Sequence, residues 1–85
     1  MGYCYFNEDG EILYNSETFG MTFWIDINND FCYCPTFIDN KPDRKQSGYV
    51  SEWTDFEGVD LNELFHIHRR LITEKVLQLT EVVWT

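Results

Sequence analysis

The sequence predicts an α+β fold of two layers, in which an antiparallel β-sheet of four to five strands, connected as a hairpin meander, is covered by one C-terminal α-helix. Short apolar segments alternate with turn residues over the first two thirds of the chain, and the last third carries apolar residues at helical spacing. A lone sheet must bury its apolar face, and this helix is the only candidate cover. At 85 residues, we expect residues 1–85 to form a single small globular domain.

Turn signals divide the first half of the chain into two hairpins. Asp9-Gly10 is a strong signal for a tight hairpin turn, and Asn28-Asn29-Asp30 provides a second turn. Residues 39–47 are polar and predict the longest loop and the most mobile region of the chain. The predicted strands are residues 3–6, 11–14, 22–27 and 31–34, with residues 36–38 extending the fourth beyond a bulge, and residues 48–54 as a further strand.

The third of these strands shows the clearest alternation in the chain. Successive side chains of a strand point to opposite faces of the sheet, so we expect one face of this strand to be buried and the other to face outward. The inward set is Phe23, Ile25 and Ile27, and the outward set is Thr22, Trp24 and Asp26.

The last third of the chain predicts a helix over residues 61–79. Asp60 is placed as its N-cap, and Glu63 completes an acidic form of the capping box. Residues 81–85 form either a final strand or the frayed end of this helix, and their β-branched pair and Trp84 favour the strand. The predicted buried stripe of the helix is Leu61, Leu64, Phe65, Leu71, Ile72, Val76 and Leu79.

The chain contains three cysteines, an odd number that argues against a fully paired disulfide framework. No secretory leader is recognisable, and we expect reduced thiols and a cytoplasmic location. The Cys-x-Cys and His-x-His spacings do not match the usual zinc motifs, so no cofactor is expected. One mixed metal site stays open if the helix packs over the strands. Its ligands would be Cys4, Cys32, Cys34 and His68.

The sequence shows no catalytic motif. It lacks a glycine-rich phosphate loop and a zincin signature, and its serines lie in no nucleophile elbow. A cysteine nucleophile would need a histidine and a third polar group beside it, and no local signature supports that grouping. We therefore expect a protein that is not an enzyme.

Charge is the most informative property of the chain. Fifteen acidic residues against six basic ones give a formal net charge of −9, which disfavours direct binding to nucleic acid phosphates. Thirteen of the acids and three of the bases lie in residues 1–64, so the charge belongs to the sheet and its turns. With 18 % aromatic residues and no apolar run near the roughly 18 residues of a membrane span, the chain is neither a disordered acidic tail nor a membrane segment.

An acidic sheet interleaved with aromatic residues predicts an interaction surface. Spaced carboxylates imitate a row of phosphates and attract a basic protein, and aromatic side chains anchor interfaces. We therefore expect a stoichiometric inhibitor that blocks the basic nucleic-acid-binding surface of a nucleic-acid-processing complex or nuclease. In size and charge the chain is similar to phage and mobile-element anti-defence proteins, such as anti-CRISPR and anti-restriction proteins. The predicted partner-binding residues are Asp26, Asp30, Glu52, Asp55, Glu57, Trp24, Tyr33 and Trp53.

Other interpretations stay open at this level. The same acidic surface suits an immunity protein that neutralises a toxin nuclease. The cysteines leave open a third function, that of a small metal-binding or accessory subunit. Acidity alone also keeps small proteins soluble. A basic outer edge of the helix, formed by His66, Arg69 and Arg70, could meet the acidic sheet of a second copy and form a homodimer.

Overall fold

The computed structural model contains one five-stranded antiparallel sheet and one C-terminal helix, which confirms the predicted two-layer α+β fold. It describes residues 2–36, 41–52 and 60–84, with helix side chains described as far as Leu77. The strands are β1 (Tyr3–Phe6), β2 (Ile12–Ser16), β3 (Met21–Ile25), β4 (Phe31–Pro35) and β5 (Gly48–Tyr49), and the helix is α1 (Leu61–Trp84). Their order across the sheet is β1-β2-β3-β4-β5, so neighbours in sequence are neighbours in the sheet.

The turn between β1 and β2 is held by one asparagine side chain. Asn7 Oδ1 accepts hydrogen bonds from the backbone N–H groups of Asp9 (3.0 Å) and Glu11 (2.8 Å). Gly10 adopts a φ of 79°, a left-handed conformation that glycine takes without a steric clash. The turn predicted at Asp9-Gly10 is therefore confirmed.

A carboxylate plays the same part in the turn between β3 and β4. Asp26 Oδ1 accepts hydrogen bonds from the backbone N–H groups of Asn28 and Asp30, both at 2.9 Å. Asn29 takes a left-handed φ of 65°, which asparagine tolerates better than most residues. Because β3 ends before this turn, Ile27 is 96 % exposed, and the prediction that it points into the core is wrong.

Helix α1 begins where the sequence predicts and extends beyond its predicted end. Asp60 Oδ1 accepts hydrogen bonds from the backbone N–H groups of Asn62 (3.0 Å) and Glu63 (3.3 Å), which confirms the N-cap. The helix continues to Trp84, so the strand predicted over residues 81–85 is wrong. Extending a helix adds one backbone hydrogen bond for each residue fixed, whereas a separate strand needs a sheet edge to pair with. Within the described ranges, no helix has the length and apolar character needed to cross a membrane.

The face of the sheet beneath α1 carries the larger core. Phe23 and Ile67 are fully buried there, and Leu64 and Leu71 pack beside them. The buried stripe of the helix is turned by about a quarter of a turn from the predicted one, because the apolar residues of α1 occupy two adjacent stripes and only one faces the sheet. Leu61, Phe65, Ile72 and Val76, all predicted to be buried, are exposed.

The reverse face of the sheet is also covered, contrary to the prediction. Thr22 and Trp24, expected to face outward, are buried, and Trp24 is only 5 % exposed. Residues 41–47 form the cover, with the 3₁₀ helix Arg44–Gln46 packed against β4 and Arg44 over the Trp24 ring. This part of the predicted mobile loop therefore belongs to the packed structure. The buried apolar cluster on this face is Leu13, Trp24, Cys32 and Cys34, with Tyr5 packed against it.

Polar side chains on the reverse face satisfy one another. Thr22 Oγ1 donates a hydrogen bond to Asn15 Oδ1 at 2.6 Å, and Thr36 Oγ1 lies 2.6 Å from Thr22 Oγ1. Asn15 Nδ2 in turn donates to the hydroxyl oxygen of Tyr3 at 3.3 Å. Buried polar groups are tolerated when they are hydrogen-bonded, which explains how Thr22 can be fully buried on the reverse face of the sheet.

The chain after β4 departs from the predicted strands. Thr36 makes a single antiparallel bridge with Pro42. β5 is only two residues long and Val50–Glu52 form a 3₁₀ helix, so the predicted strand over residues 48–54 is wrong at residues 50–52. The remaining parts of the two strand predictions, residues 37–38 and 53–54, lie outside the described residues.

Candidate functional site

Five carboxylates lie at one end of the sheet. In a meander of antiparallel strands, the turn between β1 and β2 and the turn between β3 and β4 lie at the same end. Both turns are acidic, and we call the surface that they form the acidic end. It comprises Glu8, Asp9, Glu11, Asp26 and Asp30.

The acidic end presents its charges from fixed backbone. Glu8, Asp9 and Asp30 are exposed, while Asp26 is half-buried. Both turns are braced by the side-chain hydrogen bonds of Asn7 and Asp26 described above, so the exposed carboxylates need little ordering when a partner binds. Asp26 has a structural role in addition to its charge.

Glu11 is already paired within the chain. Its two carboxylate oxygens accept hydrogen bonds from Arg44 Nη1 (2.8 Å) and Nη2 (3.1 Å), and Asn7 Nδ2 donates to Oε1 at 3.0 Å. The guanidinium of Arg44 and then the amide of Asn7 lower the pKa of the Glu11 carboxyl. The charge of Glu11 is therefore largely compensated, and the acidic end depends on the other four carboxylates.

Trp24 is not an exposed aromatic anchor. The Arg44 guanidinium lies 4.5 Å from the centroid of its ring, and the rest of the side chain packs in the reverse-face cluster. The prediction that Trp24 faces outward is wrong because residues 41–47 cover that face of the sheet. The surface available to a partner therefore excludes this side chain.

An open hollow of about 500 Å³ lies between the two acidic turns. It opens where the pairing of β2 with β3 stops at Leu13 and Trp24. The pairing of β1 with β2 and the pairing of β3 with β4 each continue one residue further toward this end. Lys75 Nζ, at its rim, donates to Asn29 Oδ1 at 3.2 Å and ties α1 to the second turn. The apolar lining is Ile12, Ile25, Ile27 and Leu71 beside Trp24, and the charged lining is Glu11, Asp26, Arg44 and Lys75.

Two of the other predicted partner-binding residues lie toward the acidic end, and one does not. Asp30 is exposed in the second turn, and Glu52 is exposed after β5, which runs toward the same end of the sheet. Tyr33 is half-buried and packs against the core beneath α1. Trp53, Asp55 and Glu57 lie outside the described residues.

The candidate metal ligands are not brought together. Cys4 packs on the α1 side of the sheet, where His68 lies against Phe31 with ring centroids 4.7 Å apart. Cys32 and Cys34 lie on the reverse face, so the sheet separates the two pairs, and the mixed site considered from the sequence is wrong. No group of three or more metal-binding side chains occurs in residues 2–36, 41–52 and 60–77.

Burial makes the reverse-face thiols poor nucleophiles. The pKa of both Cys32 and Cys34 is raised to about 11, mainly by burial and, at Cys32, also by the nearby Asp26 carboxylate. The pKa of Cys4 is also raised by burial. Since the thiolate is the reactive form, this arrangement suits small buried apolar side chains.

Sequence reasoning missed Arg44, Lys75 and Ile27 as parts of this site. Arg44 stands in a polar segment whose composition is typical of a solvated loop, and nothing near it indicates a distant tryptophan as its contact. Ile27 continues an alternating pattern that gives no sign of the strand ending at Ile25. The sequence signal that could have indicated the end of β3 is Asp26 followed by Asn28 and Asn29, because aspartate and asparagine side chains hydrogen-bond the backbone of turns.

Comparison with known proteins adds no assignment to this geometry. No protein-family model, no curated protein and no solved structure matches the chain. The function of the acidic end must therefore follow from its own chemistry.

Proposed function

We propose that this protein is a small acidic protein-binding module that inhibits a nucleic-acid-processing protein by occupying its basic surface. The observation that carries the proposal is the acidic end, where two braced turns present Glu8, Asp9 and Asp30 to solvent. The anti-defence inhibitors of phages and mobile elements, including anti-CRISPR and anti-restriction proteins, are the functional class that we propose.

Fixed carboxylates suit a surface that normally binds phosphates. Lysine and arginine side chains that neutralise a nucleic acid backbone form charge-assisted hydrogen bonds with carboxylates as well. A net charge of −9 steers such a partner toward the protein and speeds association at low ionic strength. An inhibitor of this kind competes with nucleic acid and needs no catalytic group.

The hollow between the turns gives the acidic end a place for a long basic side chain. Ile12, Ile25 and Ile27 offer an apolar wall for the methylene stem of an arginine or lysine. The Asp26 carboxylate in the lining, and the exposed carboxylates of the two adjoining turns, then meet the cationic head group. Arginine is a frequent interface anchor, which is consistent with this fit.

The experiment starts with a tagged protein in a host lysate, from which mass spectrometry identifies the bound partner. The purified partner is then titrated with the protein in the presence of a labelled duplex, whose displacement is followed by fluorescence anisotropy. We expect stoichiometric displacement that weakens as salt is raised. An immunity protein would be recognised in the same assay by a toxin nuclease as the captured partner.

Charge reversal separates the acidic end from acidity in general. The single variants Asp9→Lys and Asp30→Lys should each weaken partner binding at least tenfold. Glu17→Lys, in the turn between β2 and β3 at the opposite end of the sheet, makes a matched control that should stay within about twofold of the natural protein. Equal effects at the two ends of the sheet, or a captured partner that keeps its nucleic acid, would contradict the proposal.

A further inference from the structure

β1 is an edge strand without the features that usually protect a sheet edge. Its residues, Tyr3–Phe6, include no charged residue and no proline, and they pair one-to-one with β2 without a bulge. The opposite edge, β5, has only two residues and passes directly into a 3₁₀ helix. Natural proteins blunt exposed edges with charges, prolines, bulges or very short strands, and β1 uses none of these.

The backbone of β1 offers hydrogen-bonding groups on its outer side. Asn7 N–H donates to the Glu11 carbonyl oxygen at 3.0 Å, so Asn7 faces β2. The direction of the backbone N–H and C=O groups alternates along a strand. The backbone groups of Tyr3 and Tyr5 therefore also point toward β2, while those of Cys4 and Phe6 point away from the sheet.

The side chains and charges around β1 also favour contact. Tyr3 is 48 % exposed and Phe6 is 60 % exposed. The charged side chains that act on Cys4 are Arg70 and Glu74, which pair with each other at 3.5 Å on α1. Two copies of a chain with a net charge of −9 repel each other over most of their surface, so an electrically neutral edge is where they can approach.

We propose that two copies of this chain pair antiparallel through β1 and form one continuous ten-stranded sheet. A two-fold axis at Tyr5 places Cys4 of each copy opposite Phe6 of the other, which joins the outward backbone groups in four hydrogen bonds. Such an edge is self-complementary, as a two-fold interface requires. The pairing leaves the acidic ends of both copies open, so it is independent of the proposed inhibitory function.

The dimer is expected to be weak. A pair of four-residue strands buries less than the roughly 800 Å² per partner of a standard interface. We therefore expect a dissociation constant of roughly 10 to 100 μM. Added salt should tighten the dimer because it screens the repulsion between the two acidic molecules, the opposite of its effect on binding through the acidic end.

Analytical ultracentrifugation of the full chain between about 5 μM and 1 mM tests the pairing. The natural protein should shift from monomer to dimer across this range. Phe6→Pro removes an outward N–H without removing a hydrogen bond to β2 and should stay monomeric, whereas Ile27→Ser, at another exposed apolar position, should dimerise normally. Circular dichroism confirms that both variants are folded. A natural protein that stays monomeric at 1 mM, or a Phe6→Pro variant that dimerises equally well, would overturn the proposal.

Cross-linking tests the register. Phe6→Cys lies opposite Cys4 of the second copy, at a Cα separation of about 5.5 Å that a disulfide can span. Mild oxidation should then give a covalent dimer on a non-reducing gel. Tyr49→Cys, at the other sheet edge, should give only background dimer. If Tyr49→Cys cross-links as efficiently as Phe6→Cys, the register through β1 is incorrect.

Discussion

The guanidinium of Arg44 lies 4.5 Å from the centroid of the Trp24 ring, while its two terminal nitrogens bind the carboxylate of Glu11. One side chain thus connects residues 41–47 to β3 and to the start of β2. The contact covers an aromatic ring that would otherwise face solvent. With this contact in place, the reverse face of the sheet is buried as well as the face beneath α1.

Replacement of Arg44 by alanine is expected to lower the free energy of unfolding by about 1–2 kcal/mol. The change removes the cation–π contact and the pairing with Glu11, and both charged side chains are partly exposed, which screens the ion pair. Urea denaturation followed by circular dichroism gives the value.

Two further variants define what Arg44 contributes. Arg44→Lys keeps the charge but loses the planar two-pronged geometry, so it should recover less than half of the loss. Lys45→Ala, in the same 3₁₀ helix and exposed, should change stability by less than about 0.5 kcal/mol. An Arg44→Ala variant as stable as Lys45→Ala would show that the cover holds without this side chain.

The Glu11 pairing should be visible in the pH dependence of stability. Arg44 and Asn7 lower the pKa of the Glu11 carboxyl in the folded state below its ordinary value of 4.5. The folded state therefore favours the ionised form, so the contribution of Glu11 is present above about pH 4.5 and is lost as the pH falls through the folded pKa. The difference in free energy of unfolding between the natural protein and Glu11→Gln should therefore shrink as the pH falls below about 4.5. A difference that is constant from pH 7 to pH 3 would exclude this pairing in solution.

Thiol labelling should distinguish the cysteines. At pH 8, a thiol with a pKa of about 11 is ionised in roughly one molecule in a thousand. Cys32 and Cys34 are also buried, whereas Cys4 is half-buried. Iodoacetamide should therefore modify Cys4 at least tenfold faster in the native protein, with all three thiols reacting alike in urea. Peptide mass spectrometry assigns the sites, and fast native labelling of Cys34 would contradict the packing of the reverse face.

Two helix substitutions test which stripe of α1 faces the sheet. Ile67→Ala removes a fully buried side chain and should cost about 3 kcal/mol of stability. Leu77→Ala changes a side chain that is 52 % exposed and should cost less than about 0.5 kcal/mol. Urea unfolding midpoints at a common m-value compare the two. The reverse ranking would mean that α1 is rotated relative to the sheet.

The local features of the fold could be predicted from the sequence because they depend on interactions within a few residues. Asp9-Gly10 and Asn28-Asn29-Asp30 predict their turns through glycine and asparagine geometry, and Asp60 caps a helix that starts directly after it. The hairpin order follows from these turns, since strands joined by tight turns must pair antiparallel. The acidic end is a consequence of the same turns.

The choice of buried surfaces could not be predicted in this way. Helix α1 carries two adjacent apolar stripes, and only contact with Phe23 and its neighbours selects Ile67 instead of Phe65 for the core. Trp24 alternates with Phe23 as an outward residue would, and it is buried because residues 41–47 cover that face of the sheet, with Arg44 over its ring.

The sequence by itself thus determined the meander, the C-terminal helix and the acidic turns, because each follows from hydrogen bonds and conformational preferences of adjacent residues. Only the tertiary structure decided that both faces of the sheet are covered, that Cys4 is separated from Cys32 and Cys34, and that Ile27 stands in solvent. These outcomes depend on contacts between residues far apart in the chain, which local periodicity does not encode.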